Sequence, residues 1–159
     1  MGRTNERYLG IDPGLSKTGI CVCTKTRSGV LRIEYLCVIH TSPKETLQAR
    51  FKHIREEIAK VIGDYDVSYV ICEAYEVQTY HKPLKCSVSM SQLIAEISEE
   101  IYRLRRPFML SSPRNKRGYQ TDSFSEDAQK KLMAVAKTNR EHVLDAYIHV
   151  YHQIIKKGR

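Results

Sequence analysis

Three acidic residues stand where the chain's pattern would set them at element ends. Asp12 follows the apolar run Tyr8-Leu9-Gly10-Ile11 and precedes a Pro-Gly turn. Glu73 follows Val70-Ile71-Cys72, and Asp145 follows His142-Val143-Leu144 near the start of the last helix. Two buried strands and a helix delivering three carboxylates make a site for divalent metal ions. Mg²⁺ prefers oxygen ligands and keeps part of its water shell for a substrate phosphate. His142 and Asp145 are three residues apart, so on a helix they share a face and can point at one ion. Placed in the first turn or two, they would also lie where the helix dipole favours anions.

The elements that must position these groups follow from the pattern. Residues 8–12, 20–24 and 30–39 read as three strands joined by polar, Gly-containing turns, an antiparallel meander. Ser42-Pro43-Lys44-Glu45 reads as a capping box opening a helix, with Leu47, Phe51, Ile54, Ile58 and Ile62 at helical spacing and Gly63 closing it. Residues 67–72 form a strand, parallel to its neighbour through a right-handed crossover. If it lies beside the first strand, Glu73 emerges next to Asp12. A second helix spans 88–104 and a short strand spans 108–110. Capping boxes at 123–126 and 138–141 open two last helices, to about 136 and 156. The histidine stripe continues through His149 and His152, read as a solvated face.

The 159 residues suit one domain, 1–159, without internal repeats. Twenty-six Lys and Arg against 18 Asp and Glu give a formal charge of +8, which favours a polyanionic partner. Arg103, Arg105, Arg106, Arg114, Lys116 and Arg117 fall in an acid-free stretch from 102 to 120. The loop after Glu73 carries Tyr75, Tyr80, His81, Lys82 and Lys85, a mixture able to stack on unpaired bases and hold phosphates, with an ordinary surface loop as the competing reading. Five cysteines, odd in number and without a CxxC pair, read as small buried hydrophobes in a reducing compartment. Neither a signal peptide nor a run of transmembrane length is evident, so the expectation is a cytoplasmic protein with no membrane partner.

The order strand, strand, strand, helix, strand, helix, strand, helix, helix matches an α/β, ribonuclease H-like architecture, a five-stranded mixed sheet flanked by helices. The run Leu9-Gly10-Ile11-Asp12-Pro13-Gly14-Leu15-Ser16-Lys17-Thr18-Gly19 resembles the opening motif of the RuvC family of Holliday junction resolvases. Glu73 resembles that family's second acid, and His142 with Asp145-Ala146 resembles the paired ligands on its last helix. The family usually has an acid where His142 stands, and Glu141, four residues from Asp145, is the alternative fourth ligand.

The resemblance implies a metal-dependent endonuclease that resolves four-way DNA junctions by paired symmetric nicks leaving 5′ phosphates. Asp12, Glu73, His142 and Asp145 would hold two Mg²⁺ ions, with Mn²⁺ able to substitute because imidazole suits it. It further implies a basic residue after Pro113, here Lys116 flanked by Arg114 and Arg117, and an aromatic wedge for which Tyr75 or Tyr80 could serve. The family's second lysine has no counterpart here, since Asp127 stands near its place with Lys130 and Lys131 close by. A homodimer through the helix at 88–104 is implied as well, the competing reading being that this helix buries its apolar face within one chain. Two rival functions stay open: a broader fork or flap debranching nuclease of the same fold, and an inactive junction-binding protein.

Overall fold

The computed structural model describes residues 6–76 and 84–158, with side chains omitted for 84–87. Strands β1 (Arg7–Asp12), β2 (Lys17–Lys25), β3 (Leu31–His40), β4 (Tyr69–Glu73) and β5 (Phe108–Ser111) form one sheet in the order β3-β2-β1-β4-β5. The first three are an antiparallel meander, and β4 joins β1 in parallel with Ile11 opposite Cys72. The expected adjacency of Asp12 and Glu73 is thus built into the strand register. β5 extends the parallel part, setting Ser111 opposite Glu73.

Helices cover both faces. α1 (Leu47–Asp64) and α2 (Leu84–Arg103) lie on one side, where Phe51, Ile54, Ile58, Leu93, Ile97 and Ile101 bury Leu9, Ile11, Ile20 and Val22. α3 (Glu126–Ala134) and α4 (Lys137–Tyr151) lie on the other, against Tyr8, Cys21, Cys23, Ile33 and Ile71. Strand alternation explains the division, because successive side chains of β1 and β2 point to opposite faces. Cys21, Cys23 and Cys72 are buried and unbridged, as their apolar setting suggests.

α4 crosses β1 and β2 at backbone contact. A Cβ placed on Gly10 would fall 2.2 Å from the Ala146 carbonyl oxygen, and one on Gly19 2.1 Å from that of His142. These glycines let the helix that carries His142 and Asp145 sit directly above the strand that carries Asp12. The intervening turn is pinned too: Thr18 Oγ1 donates to the Gly14 carbonyl at 2.9 Å, and Lys17 Nζ to that of Thr138 at 2.8 Å.

Several helix starts differ from the sequence expectation. Ser42 and Glu45 do exchange contacts, but as a turn; Thr46 caps α1, which runs through Gly63 to Asp64. Ser125, not Ser123, caps α3, while Ser123 receives the Gln120 N–H in the preceding turn. α4 begins at Lys137 with Ala136 at the cap position, so Thr138 lies inside the helix. The reason is the break at Val135 and Ala136, both extended enough to end one helix and begin the next without a side-chain cap. His142 and Asp145 consequently lie in the second and third turns, deeper than expected, where the N-terminal dipole has largely faded. No helix among the described residues is long and apolar enough to cross a membrane.

Candidate metal centre

The carboxylates of Asp12, Glu73 and Asp145 each offer an oxygen within 4.8 Å of the others. Asp12 ends β1, Glu73 ends β4, and α4 lowers Asp145 onto the gap between them. Their side chains are 14%, 14% and 19% exposed, buried enough to make charge costly yet open to solvent on one side.

Two histidines and a lysine surround the acids. His142 Nδ1 lies 3.1 Å from Asp12 Oδ2, so His142 touches the cluster through Asp12 without being one of the three groups that converge, and Glu141, exposed, is not among them either. Lys116, from a 3-10 turn at Pro113–Lys116, places Nζ 2.7 Å from Asp145 Oδ2 and 3.0 Å from Glu73 Oε2. His149, read from sequence as solvent-facing, is instead completely buried, with Nε2 3.0 Å from Glu73 Oε2. α4 packs almost all round, burying Val143, Ala146, Tyr147, Ile148 and Val150 together with His149, so its histidine stripe is not a free polar face. His152, the last of that stripe, binds Tyr119 Oη at 3.2 Å.

The electrostatics differ from acid to acid. Burial, reinforced by the charges of Glu73 and Asp145, pushes the Asp12 carboxyl far above the ordinary carboxylate range. Burial would raise Glu73 as well, but the His149 hydrogen bond and the Lys116 charge outweigh it and hold that carboxyl well below its usual value. Asp145 is raised by burial despite Lys116, whose own ammonium resists burial and is held charged by Asp145 and Glu73. Once all three carboxylates are ionised, the ammonium of Lys116 offsets only one of their charges. A divalent cation matches that balance, and the contacts just described all engage one oxygen per carboxylate, leaving the second outside them. The donor set therefore fits a hard cation. Cys72, fully buried beside Glu73, has its thiol pushed up by burial and is a packing residue.

The remaining expected residues sort by position. A cleft of about 300 Å³ beside Glu73 is lined by Tyr75, Glu76, Pro113, Arg114, Lys116 and Arg117, so the basic turn and the start of the loop after the second acid do face each other across the site. Arg114 is exposed and pairs with Glu76 at 3.3 Å. Tyr80, Lys82 and the side chain of Lys85 lie outside the described residues. Lys131 donates to the Ile33 carbonyl at 2.6 Å and pairs with Asp127 at 3.2 Å. Sequence reasoning missed His149 and Ser111. The signal for His149 was its place one turn beyond Asp145 inside an apolar run.

Comparison with known proteins gives a consistent picture. Residues 8–104, more than half the chain, match the family model described as Crossover junction endodeoxyribonuclease RuvC. A curated protein of that same description from Finegoldia magna is 30% identical over 86 residues, 54% of this chain and 50% of its own length. The chain thus matches about half the length of that relative. Among solved structures, Thermus thermophilus RuvC in complex with a Holliday junction substrate superposes with a TM-score of 0.75 at 18% identity, covering 96% of both chains. A second Thermus thermophilus RuvC structure gives 0.69 at 16% identity, again over 96% of each chain. The yeast mitochondrial Holliday junction resolvase gives 0.64 at 13% identity over 98% of this chain and 85% of its own.

Proposed function

The chain belongs to the RuvC family of crossover junction endodeoxyribonucleases, and from that premise we propose that it is a metal-dependent endonuclease resolving four-way DNA junctions by paired nicks in opposing strands. The observation that carries this reading is the convergence of Asp12, Glu73 and Asp145 within 4.8 Å. Two Mg²⁺ or Mn²⁺ ions bound there would supply an activated water for in-line attack on the scissile phosphate and stabilisation of the leaving 3′ oxygen, giving 5′-phosphate ends. The chain's own residues do the rest. His142, whose Nδ1 lies 3.1 Å from Asp12 Oδ2, would serve as the fourth ligand through that nitrogen, an ion shared with Asp12 taking the place of their direct contact. Lys116 neutralises the Glu73 and Asp145 side until phosphate arrives, then offers it a cation. Arg114 and Arg117, across the cleft from Tyr75, hold the flanking backbone.

Two symmetric nicks require two sites, which favours a homodimer related by a two-fold axis. α2 is the candidate contact, since it buries Leu93, Ile97 and Ile101 inward yet leaves Val88 49% and Tyr102 82% exposed.

The test is cleavage of a mobile synthetic four-way junction in Mg²⁺ or Mn²⁺, wild type beside Glu73→Gln, with three-way, flap and hybrid substrates in parallel. Ligatable nicks in opposing strands, lost in the variant and fastest on the four-way junction, are expected. Equal rates on every substrate would replace the resolvase reading with that of a general branched-DNA nuclease. Tight binding with no nicks in either metal would replace it with that of a binding protein.

A further inference from the structure

One buried polar chain behind the acids has no part in the chemistry described above. His149 sits on α4 a turn beyond Asp145, and its imidazole bridges two strand ends: Nε2 lies 3.0 Å from Glu73 Oε2 and Nδ1 2.8 Å from Ser111 Oγ. Ser111 is also fully buried, and its Oγ receives Asn115 Nδ2 at 3.0 Å and Gln153 Nε2 at 3.2 Å. A hydroxyl has one proton and two lone pairs. The two amide donors take the lone pairs, so the Ser111 proton goes to His149 Nδ1. A neutral imidazole accepting at Nδ1 carries its own proton on Nε2, aimed at Glu73.

Packing alone does not call for this arrangement. His149, Ser111 and Gln153 are 0%, 0% and 2% exposed, and an apolar trio would fill the same space without polar atoms to satisfy. Gln153 Oε1 is even left buried without a hydrogen-bond partner while the amide nitrogen reaches Ser111. The chain ends on the same Glu73 oxygen that Lys116 engages, which keeps Oε1 outside both contacts. Through Asn115 it also reaches the turn on which Lys116 is carried.

We propose that His149 is a positioning residue, held by Ser111 in the Nε2–H tautomer, which fixes the Glu73 carboxylate so that Oε1 is presented to the divalent ion. This rests on the metal-site reading above. Outer-shell partners of this kind typically change metal affinity by about 10–100-fold when lost.

The experiment is Mn²⁺ titration of the full chain by calorimetry without DNA, with thermal melting and junction binding in EDTA measured on the same samples. His149→Leu is expected to weaken Mn²⁺ binding by about 10–100-fold and Ser111→Ala to weaken it less. His149→Gln, whose amide can still donate to Glu73, should recover most of the affinity, and junction binding in EDTA should be unchanged throughout. A purely structural role would lower melting temperature in all three without this ordering. Wild-type Mn²⁺ affinity in a folded His149→Leu chain overturns the assignment; if that variant does not fold, wild-type affinity in Ser111→Ala does so. A wild-type chain that binds no Mn²⁺ overturns the metal-site reading itself, and the assignment with it.

Discussion

Asp12 and Glu73 leave adjacent parallel strands, are each 14% exposed, and live in opposite electrostatic worlds. On the β1 side, Asp12 meets an imidazole and two other acids, and its carboxyl is pushed far up by burial and by those acids. On the β4 side, Glu73 meets an ammonium and a donating imidazole, and its carboxyl is held low against the same burial. The difference shows that exposure does not set the charge state of such a site; partners do. The β4 side brings its own counter-charge, and Asp12 is where added positive charge gains most.

The strongest way to break this comparison is to neutralise each acid in turn. Both Asp12→Asn and Glu73→Gln are expected to reduce junction cleavage by roughly 10³-fold or more, the scale for losing one member of a unit that acts together. Their effects on the metal-free fold should have opposite signs. Asp12→Asn removes an acid disfavoured by burial and like charge and should raise the melting temperature. Glu73→Gln leaves Lys116 and His149 short of a charged acceptor and should lower stability by about 1–3 kcal/mol. Equal shifts in melting temperature would erase the distinction between the two sides.

The scaffold that both sides share is tested by Gly19→Ala. The added methyl meets the His142 carbonyl, a backbone atom that moves only with α4, so a loss of about 1–3 kcal/mol is expected in a denaturant titration. Metal affinity should fall with it, because His142 and Asp145 shift together on α4. Unchanged stability would mean that the helix does not press on β2 as described.

How far such a site can be read from sequence is visible in these same residues. Asp12 and Glu73 were legible because an apolar run ending in an acid states both strand and position, and the right-handed crossover makes the strands neighbours. Asp145 was legible by its spacing from His142. Lys116 could be placed on a basic loop, but its seat between Glu73 and Asp145 depends on contacts 43 and 29 residues away, which no local pattern records. His149 was misread because histidines at 142, 149 and 152 resemble a polar stripe. What decides burial is the crossing of α4 over Gly10 and Gly19, a tertiary fact. The caps of α3 and α4 were misplaced for local reasons: Thr121, Ser123 and Ser125 all stand near the start of α3 and only backbone conformation selects among them, while α4 starts after Ala136 without any side-chain cap.

A smaller effect follows from pH. Asp12 has a folded-state value above its unfolded one, so its contribution to stability is complete at low pH and is lost as pH rises from about 4 through its raised folded value. Glu73 has the reverse shift, with a contribution present above its unfolded value near 4.5 and lost only on strong acidification. Between pH 5 and 8 the Asp12 term is therefore the one of the pair that varies. Metal-free protein should melt at progressively lower temperature across that range, and Asp12→Asn should flatten the trend. A wild-type slope that survives in Asp12→Asn would place the titrating group elsewhere.

The finest division is between Lys116 and Arg114, two cations on one turn. Lys116 is 28% exposed and engages two acids of the centre; Arg114 is 73% exposed and pairs with Glu76 at the rim. An exposed pair of that kind contributes about 0–1 kcal/mol, so Arg114→Gln should leave melting temperature and Mn²⁺ affinity where they were. Its effect belongs to DNA: junction binding should weaken modestly at every sequence, with the salt dependence shallower by about one ion. Lys116→Gln, in contrast, should move metal-free stability as well as DNA binding, because it strips counter-charge from Glu73 and Asp145. If Arg114→Gln changed Mn²⁺ affinity as Lys116→Gln does, the boundary between a centre that holds charge and a rim that holds DNA would have to be drawn further out on the turn.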